Sequence, residues 1–100
     1  MRQGRDGENE REFKEYNQFQ WSFTPIITTQ QKKPVCSTVI FVNQGGTVAL
    51  IDNMITLQPN ESFTFEGYPG EICIHSFQIN FIPSPGQQNL VIMVCKEYSV

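Results

Sequence analysis

VCSTVIFVNQGGTVALIDNMITLQPNESFTFE, residues 35–66, decides the fold of this chain. Short runs rich in Val, Ile, Thr and Phe are separated by Gly, Pro and Asn, which is the composition of short strands joined by turns. Residues 35–42 are apolar on both faces in their second half, so we expect a central strand there. Asp52 and Asn53 tolerate positive φ and separate two apolar runs, which predicts a tight hairpin.

The same alternation continues on both sides of this stretch. It predicts strands at 18–24, 35–42, 47–51, 54–57, 62–66, 71–82 and 90–98, with breaks at Pro25 and at 30–34. About seven short strands with closely spaced turns are typical of an antiparallel β-sandwich. We therefore predict an all-β fold, jelly-roll-like or barrel-like, in a single small domain over 18–100.

Residues 1–17 differ from the rest of the chain in composition. Charged residues of both signs are concentrated there, and two glycines separate them. We expect an N-terminal arm that is extended or forms one or two helical turns over 8–16, with Phe13 and Tyr16 on one side. Such a short helix is marginal in water unless it docks on something.

The distribution of charge excludes several classes of function. Residues 35–95 contain no Lys and no Arg, and the net charge is −3. Nucleic-acid binding requires clustered basic residues, so we expect no nucleic-acid partner. No apolar run reaches the length of a signal-peptide core or of a membrane span, so we expect the protein to start in the cytosol of the cell that makes it, without membrane contact.

Cysteine and histidine offer little chemistry. All three cysteines lie inside apolar runs, and burial as small hydrophobic residues is the expectation for Cys36, Cys73 and Cys95. Cys73 and His75 share a strand face, but a zinc site needs two further ligands and a nucleophile pair needs hydrogen-bond contact. We assign no catalytic residue, no metal ligand and no cofactor.

The aromatic residues suggest a binding surface of another kind. Trp21, Tyr16 and Tyr68, with acids at nearby turns (Glu61, Glu66 and Glu71), can form a platform for a sugar ring. Trp21 alternates in phase with Phe19 and Phe23, however, so burial in the core or in an interface is the stronger prediction.

The run VNQGGTVALIDNMITLQPNESFTFEGYPGEICIHSFQINF, residues 42–81, resembles a pattern in small virion proteins of tailed bacteriophages, including phages of gut bacteria. In that pattern a hairpin leads into L-x-P-x-E-S-F-x-F, then a Gly turn, then a long strand that ends in I-x-F. The matching residues here are Leu57, Pro59, Glu61, Ser62, Phe63, Phe65, Gly70, Ile79 and Phe81. The resemblance implies a non-enzymatic β-sandwich building block that is repeated in symmetric copies on a capsid, collar or tail.

Together these features predict a virion structural protein, such as a decoration, head-fibre or head–tail accessory subunit. Its expected partners are copies of itself and other virion proteins, and its arm would tether it to a neighbouring subunit. The interface candidates are Phe13, Tyr16, Trp21, Lys32 and Lys33. A carbohydrate-binding β-sandwich that takes a host glycan on Trp21 and Tyr68 is the alternative, and a small hydrolase that uses Cys73 or His75 is a third hypothesis.

Overall fold

A computed structural model describes residues 18–68 and 70–99, which form eight β-strands in two antiparallel sheets of four strands. The strands are β1 (Gln18–Ile26), β2 (Gln30–Lys32), β3 (Thr38–Asn43), β4 (Val48–Ile51), β5 (Ile55–Leu57), β6 (Ser62–Glu66), β7 (Phe77–Ile82) and β8 (Val91–Ser99). The predicted all-β sandwich is confirmed, with one strand more than expected. Within the described ranges no helix is long and apolar enough to cross a membrane. The arm at 1–17 lies outside the described residues.

The strand order identifies the type of sandwich. Sheet A has the order β1-β8-β3-β6, and sheet B has the order β2-β7-β4-β5. β1 pairs with β8, β2 with β7, β3 with β6 and β4 with β5, so the chain forms one long double ribbon that is folded back at the β4–β5 hairpin. Successive ribbon pairs alternate between the sheets, and the β3–β8 and β4–β7 pairs complete each sheet. This is the connectivity of an eight-stranded jelly roll.

One hydrophobic core fills the space between the sheets. The ring of Phe41 from sheet A packs on the ring of Phe77 from sheet B with a centroid distance of 5.1 Å, and Phe65 contacts both rings. Tilted and edge-to-face aromatic pairs of this kind stabilise beyond the burial of their area. The other buried apolar residues of the core are Ile26, Cys36, Val39, Ala49, Ile51, Leu57, Ile79, Val91, Met93 and Cys95.

A buried asparagine fastens the two sheets to each other. Asn43, at the end of β3 in sheet A, donates from Nδ2 to the carbonyl oxygens of Thr47 at 2.8 Å and Leu57 at 2.9 Å. Its Oδ1 accepts from the backbone N–H of Gly45 at 3.0 Å. Leu57 belongs to β5 of sheet B, so this fully buried side chain carries a direct polar link across the sandwich. A buried amide is tolerated in a core when its donors and acceptor are paired in this way.

Two predictions near the N-terminal end of the sandwich are wrong. Pro25 was expected to end the first strand, but it lies inside β1 opposite Ile92. Within the described residues β1 is an edge strand, where a missing N–H is tolerated. The segment 30–34 was expected to be a break, but Gln30–Lys32 forms β2 and pairs with β7. The polar sequence of β2 gave no strand signal, because a short edge strand needs few apolar residues.

The predicted strand at 71–82 is wrong in its first half, since β7 begins only at Phe77. Cys73 bridges to Cys36, which lies two residues before β3 of sheet A, whereas β7 belongs to sheet B. The intervening residues therefore cross from one sheet to the other and cannot continue a strand. The predicted strand at 35–42 likewise begins at Thr38, because Val35 has a φ of 51°.

The predicted tight hairpin is confirmed. Asp52 and Asn53 both have a φ of 55° and connect β4 to β5. Gly70 has a φ of 89°, and the N–H of Glu71 donates to the carbonyl of Tyr68 at 2.9 Å, as a type II turn requires. The strand at 35–42 is also central, as predicted, because β3 lies between β8 and β6.

Candidate functional site

The face of sheet A that points away from the core is the most unusual surface of the molecule. Residues that share a row across an antiparallel sheet point to the same side. The buried residues Val39 and Phe41 fix the inner side of β3, and the register extends that assignment to the other strands. The outer face of sheet A consists of Phe19, Trp21, Phe23, Pro25, Ile92, Val94, Lys96, Thr38, Ile40, Val42, Ser62, Thr64 and Glu66.

Three aromatic side chains stand on this face along β1. Phe19, Trp21 and Phe23 are 51%, 43% and 67% exposed. Ile40, Val42, Ile92 and Val94 lie beside them and are half-buried. The prediction of core burial for Trp21 is therefore wrong: Ser22, Thr24 and Ile26 occupy the inner side of β1, so the aromatic residues face outward. Burial of Trp21 in an interface stays a prediction.

A lysine lies over the aromatic row. Nζ of Lys96 is 4.4 Å from the ring centroid of Phe19 and 6.0 Å from that of Trp21, which are cation–π distances. The Phe19 and Trp21 rings are 6.3 Å apart and nearly perpendicular, at 86°. These two rings therefore form an edge-to-face pair and do not make one flat platform.

The outer face of sheet B has a different character. Gln78 donates to Asn80 at 3.1 Å, and Asn80 donates to Asn53 at 2.7 Å, so amide side chains satisfy one another along this surface. Exposed Gln31 and Thr56 extend it with further polar groups. Val48, Leu50 and Ile82 share this face, and Ile82 is 48% exposed, so its composition is mixed. The outer face of sheet A differs because it exposes three large aromatic side chains in one row, and exposed apolar patches are typical of interaction surfaces.

A second feature, the edge groove, lies where β5 and β6 leave the sandwich open. It has a volume of about 390 Å³, and its walls are Met54, Ile55, Phe65, Cys73, His75 and Phe77, with Asp52 at one end. The ring of His75 packs on that of Phe77 at a centroid distance of 4.6 Å. The groove is thus almost entirely apolar, with one polar corner.

The polar groups at this end of the groove hydrogen-bond to the backbone and to each other. Oδ1 of Asp52 accepts from the N–H of Gln78 at 2.8 Å, and Oδ2 lies 2.7 Å from Nε2 of His75. The hydrogen bond from Gln78 is the largest cause of a lowered pKa for Asp52, and the contact with His75 lowers that pKa further. Asp52 therefore holds the start of β7 against the β4–β5 turn, with His75 as its outer partner.

The surroundings of Cys36 and Cys95 disfavour nucleophilic chemistry at their thiols. Burial raises the pKa of the Cys36 thiol to about 12, with help from its hydrogen bond to Cys95. Burial also raises the pKa of Cys95. A protonated thiol is a poor nucleophile. The predicted burial is confirmed for these two, but Cys73 is only half-buried and opens on the edge groove.

The predicted strand face shared by Cys73 and His75 is wrong, because β7 begins only at Phe77, but both residues line the edge groove, and Asp52 adds a third polar group. Among the described residues, however, no hydrogen bond joins the Cys73 thiol to His75, whose Nε2 faces Asp52 instead. No group of three metal-ligating side chains occurs within the described part of the chain either.

The other predicted site residues are scattered. Phe13 and Tyr16 lie outside the described residues. Lys32 ends β2 and Lys33 follows it, at one edge of sheet B. Tyr68 follows β6, with two strands between that edge of sheet A and the β1 edge that bears Trp21, so roughly 14 Å separates these edges. The suggested sugar platform of Trp21 with Tyr68 is therefore not assembled within one copy.

The acidic residues take structural parts in turns. Oε1 of Glu61 accepts from the N–H of Gln58 at 2.7 Å, and Oε1 of Glu71 accepts from the N–H of Tyr68 at 2.8 Å. Each carboxylate closes its own turn, as short polar loops require. Neither bond brings a second carboxylate into position for acid–base chemistry.

The half-buried aliphatic residues of the outer face are the part of the site that the sequence interpretation missed. Their signal was present: β3 and β8 are apolar on both faces. A strand of that kind in a two-layer sandwich has only one side in the core, so its second apolar side needs another cover.

No protein-family model, curated protein or solved structure matches this chain.

Proposed function

We propose that this protein is a non-enzymatic virion structural subunit of a tailed bacteriophage, which assembles in symmetric copies through the outer face of sheet A. The segment 1–17 tethers each copy to a neighbour. The place of assembly is the capsid, the collar or the tail. Other virion proteins are the remaining partners.

The observation that carries the assembly role is the exposure of the aromatic row on β1. Phe19, Trp21 and Phe23 present three large rings to solvent beside the aliphatic residues of β8 and β3. Soluble monomers rarely leave contiguous apolar surface of this kind uncovered, and aromatic side chains are enriched where proteins meet. A small sandwich also gains stability when a second copy covers such a face.

Two further points support the virion assignment. The eight-stranded jelly roll is an architecture that viral capsid domains use, which is an analogy at the level of the fold. The resemblance over residues 42–81 points the same way. Both are independent of the exposed face, which supports assembly but not its location.

A matched pair of lysine substitutions tests the assembly surface. Phe23→Lys places a charge in the aromatic row, whereas Met54→Lys places the same charge on a side chain that is 85% exposed at the edge groove. We expect light scattering to show an oligomer for the wild type and for Met54→Lys, and a shift of at least tenfold toward monomer for Phe23→Lys. Equal behaviour of the two variants would remove the outer face of sheet A from the proposal.

The virion assignment has a separate test. Phage particles purified from a culture infected with a phage that encodes this chain are expected to contain the chain in a fixed ratio to the major capsid protein, as measured by quantitative mass spectrometry. Its absence from particles, with the free protein in the lysate, would contradict the assignment while leaving self-assembly intact.

The exposure of Trp21 also favours the second candidate function, carbohydrate binding, because lectin domains share the jelly-roll architecture. The perpendicular setting of the Phe19 and Trp21 rings speaks against a broad stacking platform. Saturable binding on a glycan array that is abolished by Trp21→Ala would establish this function. We expect no such binding.

A further inference from the structure

The edges of the two sheets differ in a way that singles out one strand. Within the described residues the edge strands are β1 and β6 in sheet A and β2 and β5 in sheet B. β1 has nine residues, whereas β6 has five and β2 and β5 have three each. Long edge strands are usually protected by charge against pairing with another chain. β1, QFQWSFTPI, carries no charged residue, while β2 ends in Lys32 and β6 ends in Glu66.

The sequence of β1 is also symmetric about its tryptophan. Residues 18–24 read Gln, Phe, Gln, Trp, Ser, Phe, Thr, so polar and aromatic positions mirror each other around Trp21. Pro25 follows this stretch and cannot donate a ladder hydrogen bond, so it limits pairing on that side. The seven residues between the start of β1 and Pro25 therefore have Trp21 at their centre.

We infer that two copies of this chain join edge to edge through antiparallel pairing of β1 with β1, centred on Trp21, and that this makes one continuous eight-stranded sheet from two copies of sheet A. This inference rests on the proposed assembly role and names its partner as a second copy. The twofold axis passes midway between the two Trp21 residues, so the contact is self-complementary and closed.

The register follows from the symmetry of the strand. Trp21 lies opposite Trp21 of the second copy, and Phe19 lies opposite Phe23. Directly opposed residues share a face, so the aromatic rows of both copies meet on the outer side and form cross-strand aromatic pairs. On the other side Gln20 meets Ser22 and Gln18 meets Thr24, which brings polar groups together. No like charges oppose each other at any position.

Disulfide cross-linking between full-length chains tests the register. Opposed Cα atoms in an antiparallel pair are about 4.5–5.5 Å apart, within the range of a disulfide. Trp21→Cys is expected to convert to a cross-linked dimer under a mild oxidant on a non-reducing gel. Phe23→Cys is the matched control, because the two copies of residue 23 are offset by four positions, roughly 13 Å along the strand. The wild type under the same oxidant controls for Cys36, Cys73 and Cys95.

A second readout keeps Trp21 in place. An equimolar mixture of Gln18→Cys and Thr24→Cys chains is expected to give a mixed cross-linked dimer at least tenfold more abundant than either variant gives alone. Cross-linking of Phe23→Cys as efficient as that of Trp21→Cys would refute the register.

The outcomes separate the two proposals. If light scattering shows an oligomer, but neither Trp21→Cys nor the mixture cross-links, β1 pairing is overturned and the assembly role stands. If the wild type is a monomer at every concentration, the assembly role itself falls and the pairing falls with it.

Discussion

Replacing Asn43 with alanine is expected to destabilise the sandwich more than any other single change to a polar residue of the described chain. The substitution removes both Nδ2 hydrogen bonds, to Thr47 at 2.8 Å and to Leu57 at 2.9 Å, and leaves the two carbonyl oxygens short of a partner. The N–H of Gly45 keeps its bond to the carbonyl of Leu90 at 2.9 Å, so it is not orphaned. Two lost buried bonds at about 1 kcal/mol each, with about 1 kcal/mol for the small cavity, give a loss of about 3 kcal/mol.

The assay is urea denaturation followed by circular dichroism, with all variants at one protomer concentration because association contributes to apparent stability. A loss of about 3 kcal/mol is a large part of the 5–15 kcal/mol typical of a small domain. Asn80→Ala is the control, since it also removes two hydrogen bonds, of 2.7 Å to Asn53 and 3.1 Å from Gln78, but at the surface, where water replaces them, so it is expected to cost less than about 1 kcal/mol. Equal losses for the two variants would refute the view that Asn43 links the sheets.

Two further predictions concern titration and thiol access. Asp52→Asn is expected to lower the free energy of unfolding by about 1 kcal/mol at neutral pH, because the carboxylate accepts from the N–H of Gln78 and contacts His75. Folding lowers the pKa of Asp52, so this stabilisation is complete above the unfolded pKa of about 4 and is lost as the pH falls through the folded value. The free energies of unfolding of the variant and the wild type should therefore become equal in acid. Denaturation curves measured across the acid range check this, and a difference that persists undiminished at low pH would contradict it. Alkylation of the native protein is expected to modify Cys73 first and to reach Cys36 and Cys95 only on unfolding, because those two thiols are buried; mass spectrometry of timed samples reads the order, and early modification of Cys36 would contradict the core packing.

Local features of the fold were predictable because they depend on neighbouring residues. Asp52 and Asn53 adopt the expected positive φ between β4 and β5. Turn residues report their own backbone conformation. The alternating run at 62–66 also forms the predicted strand, with the same bounds.

Long-range pairing was not predictable in the same way. The jelly roll depends on β1 meeting β8 and β2 meeting β7, and no local pattern states which distant strand a given strand will pair with. The passage of residues 71–76 from one sheet to the other was not predicted either. An alternating apolar sequence looks the same whether the segment stays in one sheet or connects two. Likewise the pairing of His75 with Asp52 needs the β4–β5 turn to fold under the start of β7.

The orientation of β1 shows the limit most clearly. Periodicity correctly placed Phe19, Trp21 and Phe23 on one face, but it could not say which face meets the core. Ile26, which is fully buried, and the smaller Ser22 and Thr24 take the inner side. The aromatic residues are thereby left exposed, so the predicted core location of Trp21 was wrong and its burial in an interface stays a prediction.

The most direct measurement of the central claim uses Trp21 itself, since it is the single tryptophan of the chain. In one copy its side chain is 43% exposed, so its fluorescence reports on whether a partner covers the outer face of sheet A. As protein concentration rises through the assembly range measured by light scattering, we expect the emission to shift to shorter wavelength and acrylamide quenching to fall. Assembly with unchanged emission and unchanged quenching would show that the copies meet elsewhere, and the account of this surface would be wrong.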